Sequence, residues 1–206
     1  QERDALAKRR LEGDLAPHRA LGDRADVRPE ADEIAELVDA LLADDGGIHV
    51  GYTYGSDGLM LRYAPDALGN WTLERVDTDA LMLGTLALAA NGDPILAYET
   101  EVDLVKVAFE DATGWHYEIV DTAGGSGISM VLDAAGYPRI SYGAYAGGLG
   151  FAYRDATGWR RETVLAGDFD DTSLELDAAG HAHISAYDAA TGDLVYAYQD
   201  ATGWHT

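Results

Sequence analysis

Cysteine is absent from this 206-residue chain, so no disulfide, thiol nucleophile or cysteine-bound zinc can figure in its chemistry. Lysine is nearly absent too: Lys8 and Lys106 stand beside twelve arginines. Seven of the fourteen basic residues precede Pro29, and from Asp45 onward 25 acidic residues face 7 basic ones. At a formal net charge of −23, the chain lacks the clustered cations that nucleic-acid phosphate requires, and no nucleic-acid partner is expected. No apolar run approaches a membrane span, and no stretch near the start reads as a signal peptide. The expectation is a soluble chain from which any export signal has been removed. An Asp-rich, Lys-poor surface fits a salt-rich or calcium-rich setting, where dissolved cations screen self-repulsion. A GC-rich genome, which favours Ala, Gly, Asp and Arg together, accounts for the same bias.

What the chain does have is 47% hydrophobic residues, enough for one compact domain, and repetition. Trp71, Trp115, Trp159 and Trp204 are spaced by 44, 44 and 45 residues, and Gly92, Gly136 and Gly180 by 44 and 44. A tandem period in this range suggests one propeller blade per copy. Each copy reads as four short strands with period-two alternation, as in Leu149, Phe151 and Tyr153, punctuated by Gly and Asp. The recurrent "DATG" before three of the tryptophans reads as a hairpin loop. Its Asp bonds the turn's own backbone and its Gly takes a positive φ. The Trp then covers the hairpin and fills the wedge between neighbouring copies. Asn70 replaces Gly before Trp71 and tolerates the same left-handed backbone. A sheet of this size cannot bury both faces alone, so copies must stack.

The expected fold is therefore all-β: a β-propeller of four-stranded antiparallel blades, about 3.5–4 of them by this count of copies, preceded by a short helical N-terminal segment. The arm covers residues 1–36. The blades cover about 37–76, 81–121, 125–165 and 171–206, the last of them incomplete. Two signals conflict at the start of the first blade. Ile34, Leu37, Val38, Leu41 and Leu42 have helical spacing, whereas alignment of the copies demands a strand ending near Leu42. The spacing favours a helix from about Pro29 that yields to an extended stretch near Leu41.

The pattern in Thr172–Trp204, "TSLELDAAGHAHISAYDAATGDLVYAYQDATGW", resembles a family of bacterial and archaeal tandem β-propeller repeats. Ile128–Trp159 carries it too, and the resemblance extends over residues 45–206. Such repeats occur in exported or surface proteins, which implies an extracellular or cell-surface location. The "DATGW" turn also resembles the Asp-box hairpin of sialidase-like propellers in its position between the third and fourth strands. Its spacing departs from that pattern, since three residues separate Asp from Trp. The strand order this implies puts "SLELD" innermost and "WRRETV" outermost.

That order gathers the loops that vary between copies on one face, where recognition usually resides. The candidate binding residues there are Tyr54, Glu99, Glu101, Tyr145, Asp168, Asp170 and Asp188. Rings beside carboxylates suit a sugar or a cationic peptide, and a solvated acidic rim is the plainer reading. "GDFDD" (Gly167–Asp171) offers oxygens to Ca²⁺ without the EF-hand spacing, and ordinary inter-blade turn chemistry is the preferred reading. His181 and His183 lack a third ligand nearby; His49, His116 and His205 read as packing or surface residues, and no metal site is assigned. "NWT" at Asn70 matches a glycosylation sequon. No carboxylate pair, nucleophile elbow or converging arginines stand out for catalysis, with Arg62, Arg139 and Arg154 on different blades. The function expected is a non-enzymatic binding module for a protein or glycan. The alternatives are a structural subunit that completes its unfinished last blade by self-association and a propeller glycosidase or lyase.

Overall fold

A computed structural model describes residues 38–43, 46–54, 58–64 and 71–206. The chain divides into two compact units, Gln1–Asp32 and Glu33–Thr206. The first lies outside the described residues, as do the arm expected over residues 1–36 and Asn70. The second is built of strands alone among the described residues.

Among the described residues, sixteen strands form four antiparallel sheets of four, each in simple sequential order. The first sheet holds β1 (Val38–Leu42), β2 (Ile48–Tyr54), β3 (Gly58–Ala64) and β4 (Thr72–Asp77). The second holds β5 (Ala80–Leu88), β6 (Pro94–Thr100), β7 (Val105–Asp111) and β8 (Gly114–Asp121). The third holds β9 (Gly125–Leu132), β10 (Pro138–Ala144), β11 (Leu149–Asp155) and β12 (Gly158–Leu165). The fourth holds β13 (Phe169–Leu176), β14 (Ala182–Asp188), β15 (Asp193–Asp200) and β16 (Gly203–His205). Over Val38–Leu42 the alignment of copies prevails over helical spacing: Val38 pairs with Tyr52 and Leu42 with Ile48. Pairing with β2 and burial of Leu41 against the second sheet outweigh a local periodicity only a few residues long.

The turns follow from local chemistry. The Asp of each "DATG" accepts the amide of the Thr two residues on, at 2.7 Å in Asp111, Asp155 and Asp200. The Gly after it has φ of 113° to 124° in Gly114, Gly158 and Gly203, a conformation that costs an L-residue dearly. Gly92, Gly136 and Gly180 close the other turn type at φ of 82° to 88°.

The sheets stack through their first strands, β1 on β5, β5 on β9 and β9 on β13. Three apolar cores fill the junctions. Leu59, Leu61 and Val76 meet Leu83, Leu86 and Leu96 at the first. Val105, Val107 and Ile95 meet Ile128, Met130 and Ile140 at the second. Leu149 and Phe151 meet Phe169, Leu174 and Ile184 at the third. Each such side chain contributes about 1.5–3 kcal/mol by leaving water. β6 is buried at every position because its sheet has a neighbour on both faces.

Polar links repeat across the junctions. The side chains of Asp39, Thr85 and Ser129 accept the backbone amides of Leu86, Met130 and Leu174 in the following sheet, at 2.8, 3.1 and 3.1 Å. Tyr98 donates to Asp77 at 2.5 Å and Tyr142 to Asp121 at 2.6 Å. At the third junction Leu165 and Ala186 occupy these two positions and join the apolar core instead.

Candidate functional site

The antiparallel order puts the β6–β7, β10–β11 and β14–β15 loops and the sheet-to-sheet connections at one end. The hairpins and the remaining turns lie at the other. Both ends carry a cleft.

At the loop end, Glu99 on β6, Ser126 on β9 and Asp170 on β13 line a cleft of about 380 Å³ with Gly84, Ile128 and Thr172. Glu99 is 3% exposed and accepts a hydrogen bond from the Tyr145 hydroxyl. Ser126 donates to Asp170 at 3.0 Å. Burial pushes the Glu99 carboxyl up, and the Asp103 and Asp170 charges reinforce it against the opposing Tyr145 bond. Burial and the Glu99 carboxylate push Tyr145 up to about 12. Three of the residues singled out from sequence, Glu99, Tyr145 and Asp170, are thus brought together.

The others go elsewhere. Glu101 is exposed, and its amide donates to the Asp79 carbonyl. Asp168 accepts the Ala189 amide through its carbonyl, while Asp188 caps its own loop by accepting from Ala190 and Thr191. Tyr54 ends β2 opposite Gly58, and its side chain lies outside the described residues. His181 and His183 share Asp177, at 3.1 and 3.8 Å. Among the described residues, no group of three or more metal-ligating side chains is assembled.

At the hairpin end, a cleft of about 300 Å³ opens between the second and third sheets. Its walls are apolar and aromatic, from Val107, Phe109, Tyr137 and Trp159. Arg154 grips Glu118 with two parallel bonds of 2.7 Å. Trp159 Nε1 donates to the same carboxylate at 2.8 Å. The guanidinium carbon lies 5.8 Å from the Tyr137 ring centre. The Arg154 fork holds Glu118 below its ordinary value against the opposing pull of burial, with the Arg154 charge and Trp159 assisting. The result is a fixed anionic acceptor beside a fixed cationic donor and three aromatic rings.

The arrangement recurs with one variable member. Trp115 donates to Glu74 at 3.3 Å and Trp204 to Glu162 at 2.9 Å. Where the third sheet has Arg154, the equivalent residues before "DATG" are Glu110 and Gln199. Burial and the Glu74 and Asp93 charges push Glu110 up. At the third junction Arg139, Tyr153, Glu162 and Gln199 line a smaller cleft of about 190 Å³. The sequence carried a signal for this: Glu74, Glu118 and Glu162 each follow a tryptophan by three residues. Reading the tryptophans as wedges alone missed their carboxylate partners.

Among the described residues, no helix is long and apolar enough to cross a membrane. No family model and no curated protein matches the chain. Solved structures do match in fold. SapL1 lectin, solved with alpha methyl fucoside, is 16% identical at a TM-score of 0.61, over 82% of this chain and 60% of that one. AofleA from Arthrobotrys oligospora is also 16% identical at a TM-score of 0.61, over 81% and 54%. A bifunctional GH43-CE protein of Bacteroides eggerthii is 13% identical at 0.53, over 84% and 27%. The chain thus spans less than two thirds of these proteins' lengths. The four stacked sheets share a β-propeller-like fold with these proteins.

Proposed function

We propose that this protein is a non-enzymatic glycan-binding module of an exported or cell-surface protein. The cleft between the second and third sheets is its primary site. The observation that carries this reading is the Arg154–Glu118–Trp159 constellation set among aromatic walls. Neighbouring sugar hydroxyls each donate and accept, so a guanidinium and a carboxylate held side by side address two of them at once. The C–H face of a pyranose packs on an aromatic ring, as apolar clefts with a few placed polar groups require. The lectin-like fold neighbours support the reading at the level of fold.

Glu118 is poorly suited to acid catalysis, because its proton affinity is lowered by the donors around it and a general acid needs the reverse. Glu99 favours a second reading as a glycosidase, since it is buried, raised and beside Asp170 in the loop-end cleft. Titration calorimetry with simple methyl glycosides, chosen from a glycan array, separates the two. Binding without turnover, weakened at least about tenfold by Arg154→Ala through loss of one charged hydrogen-bond donor, supports the lectin reading. Affinity unchanged in Arg154→Ala overturns it. Turnover of a glycoside that Glu99→Gln abolishes installs the enzyme reading instead.

A further inference from the structure

We propose that copies of this chain associate head to tail, the outward flank of the fourth sheet packing on the outward flank of the first sheet of a second copy. The three internal junctions define what such a flank looks like. On β7 and β11 the residues facing the next sheet are Val105, Val107, Leu149 and Phe151, all 3% exposed or less. The same positions on β15 hold Leu194 and Tyr196, which are 80% and 52% exposed. Tyr198 continues the row, stacked between Tyr196 and His205 at 5.9 and 5.1 Å. Ser173 stands where Thr85 and Ser129 accept an amide from the following sheet.

The first sheet carries the complementary half. Trp71 matches Trp115, Trp159 and Trp204, each of which bonds a glutamate of the preceding sheet, yet it is 43% exposed. Leu73, two residues on, and Leu42, on β1, are 49% and 75% exposed. By register, Ala40 offers the amide equivalent to those of Leu86, Met130 and Leu174. The contact is thus a continuation of an interface this chain already forms three times. The fourth flank also differs from the internal ones in a telling way. Glu175 and His183 replace Val131 and Arg139 of the third sheet, and Tyr196 replaces Phe151. Amphipathic rings with a polar surround suit a contact between separately folded copies better than a permanent core. Because one flank meets a different one, the interface is heterologous and copies add in a single direction.

Sedimentation equilibrium of the whole 206-residue chain tests this over a wide concentration range. Each copy carries −23, so association is expected to strengthen with salt as repulsion is screened. The expected result is a mass above the 22.0 kDa of one copy that rises with concentration. Leu194→Glu and Leu73→Glu change exposed side chains, and circular dichroism verifies that both variants fold. Each variant alone is expected to be monomeric, and an equimolar mixture to recover a dimer, since one intact flank of each kind remains. Monomer at every concentration and salt overturns the proposal, as does association that survives Leu194→Glu. Self-association of Leu73→Glu on its own would also overturn it, by showing that two fourth-sheet flanks meet each other.

Discussion

Replacing Tyr142 by Phe tests how the second and third sheets are joined. The Tyr142 ring is 2% exposed, so Phe keeps the packing and deletes only the hydroxyl. That hydroxyl donates at 2.6 Å to Asp121, on the end of the preceding sheet. Asp121 also accepts from the Ala123 amide at 2.9 Å and from Arg161 at 2.9 Å. Burial raises this carboxyl, but the Tyr142 bond, the Ala123 amide and Arg161 outweigh burial and hold it below its ordinary value. A hydrogen bond to a charged group is worth about 1.5–3 kcal/mol. Arg161, half-exposed, already bonds this carboxylate and compensates only in part, so a loss of about 2 kcal/mol is expected. For a unit of this size that lowers the melting temperature by roughly 4–8 °C. The pH dependence carries a sign. A carboxyl lowered by folding contributes stability above its unfolded value, and this is lost as pH falls through the folded one. The gap between Tyr142→Phe and wild type should therefore be widest near neutrality and shrink as pH drops below about 4. Thermal unfolding followed by circular dichroism measures both. A shift under about 1 °C at neutral pH would correspond to less than half a kcal/mol and would refute the view that this bond ties the sheets.

Two further changes probe the close approach of sheets and the loop-end cleft. A Cβ on Gly143 would sit 1.7 Å from the Phe169 carbonyl oxygen, so Gly143→Ala should cost at least about 3 kcal/mol, at the upper end for overpacking, and proteolysis should then release the fourth sheet first. Glu99→Gln removes a buried carboxyl whose proton affinity is raised by burial, with Asp103 and Asp170 assisting. Such a group stabilises the fold below its unfolded pKa and loses that contribution as pH rises through the folded one. The variant should match wild type near pH 4 and exceed it in melting temperature at alkaline pH; equal curves at every pH would contradict the assignment.

The sheets were legible because their signals are local and repeated. An Asp that bonds its own turn and a Gly with positive φ mark the β7–β8, β11–β12 and β15–β16 hairpins wherever they occur. β1 was ambiguous because Leu37, Val38, Leu41 and Leu42 satisfy a helical period as well as a strand. Only pairing with β2, a tertiary fact, decides between the two over Val38–Leu42. The loop-end residues were chosen by position in variable loops, which places a residue at an end of the sheet without saying which way its side chain turns. Hence Glu99 and Asp170 line a cleft while Glu101 points to solvent and Asp188 serves its own turn. The Arg154–Glu118 pair joins positions 36 residues apart on different sheets. Its geometry depends on how two sheets are rotated against each other, and no spacing along the chain encodes that.

The links from Asp39, Thr85 and Ser129 are aimed at main-chain amides, which every non-proline residue provides. A unit joined in this way can follow any other without a matching change in its neighbour. The tyrosine–aspartate link lacks that freedom, and at the third junction both of its positions differ together, as Leu165 and Ala186. Gene duplication can therefore lengthen or shorten such a chain at once using the first kind of bond, whereas the second kind must coevolve. A lineage of such chains should vary in unit number more readily than it reorders its units.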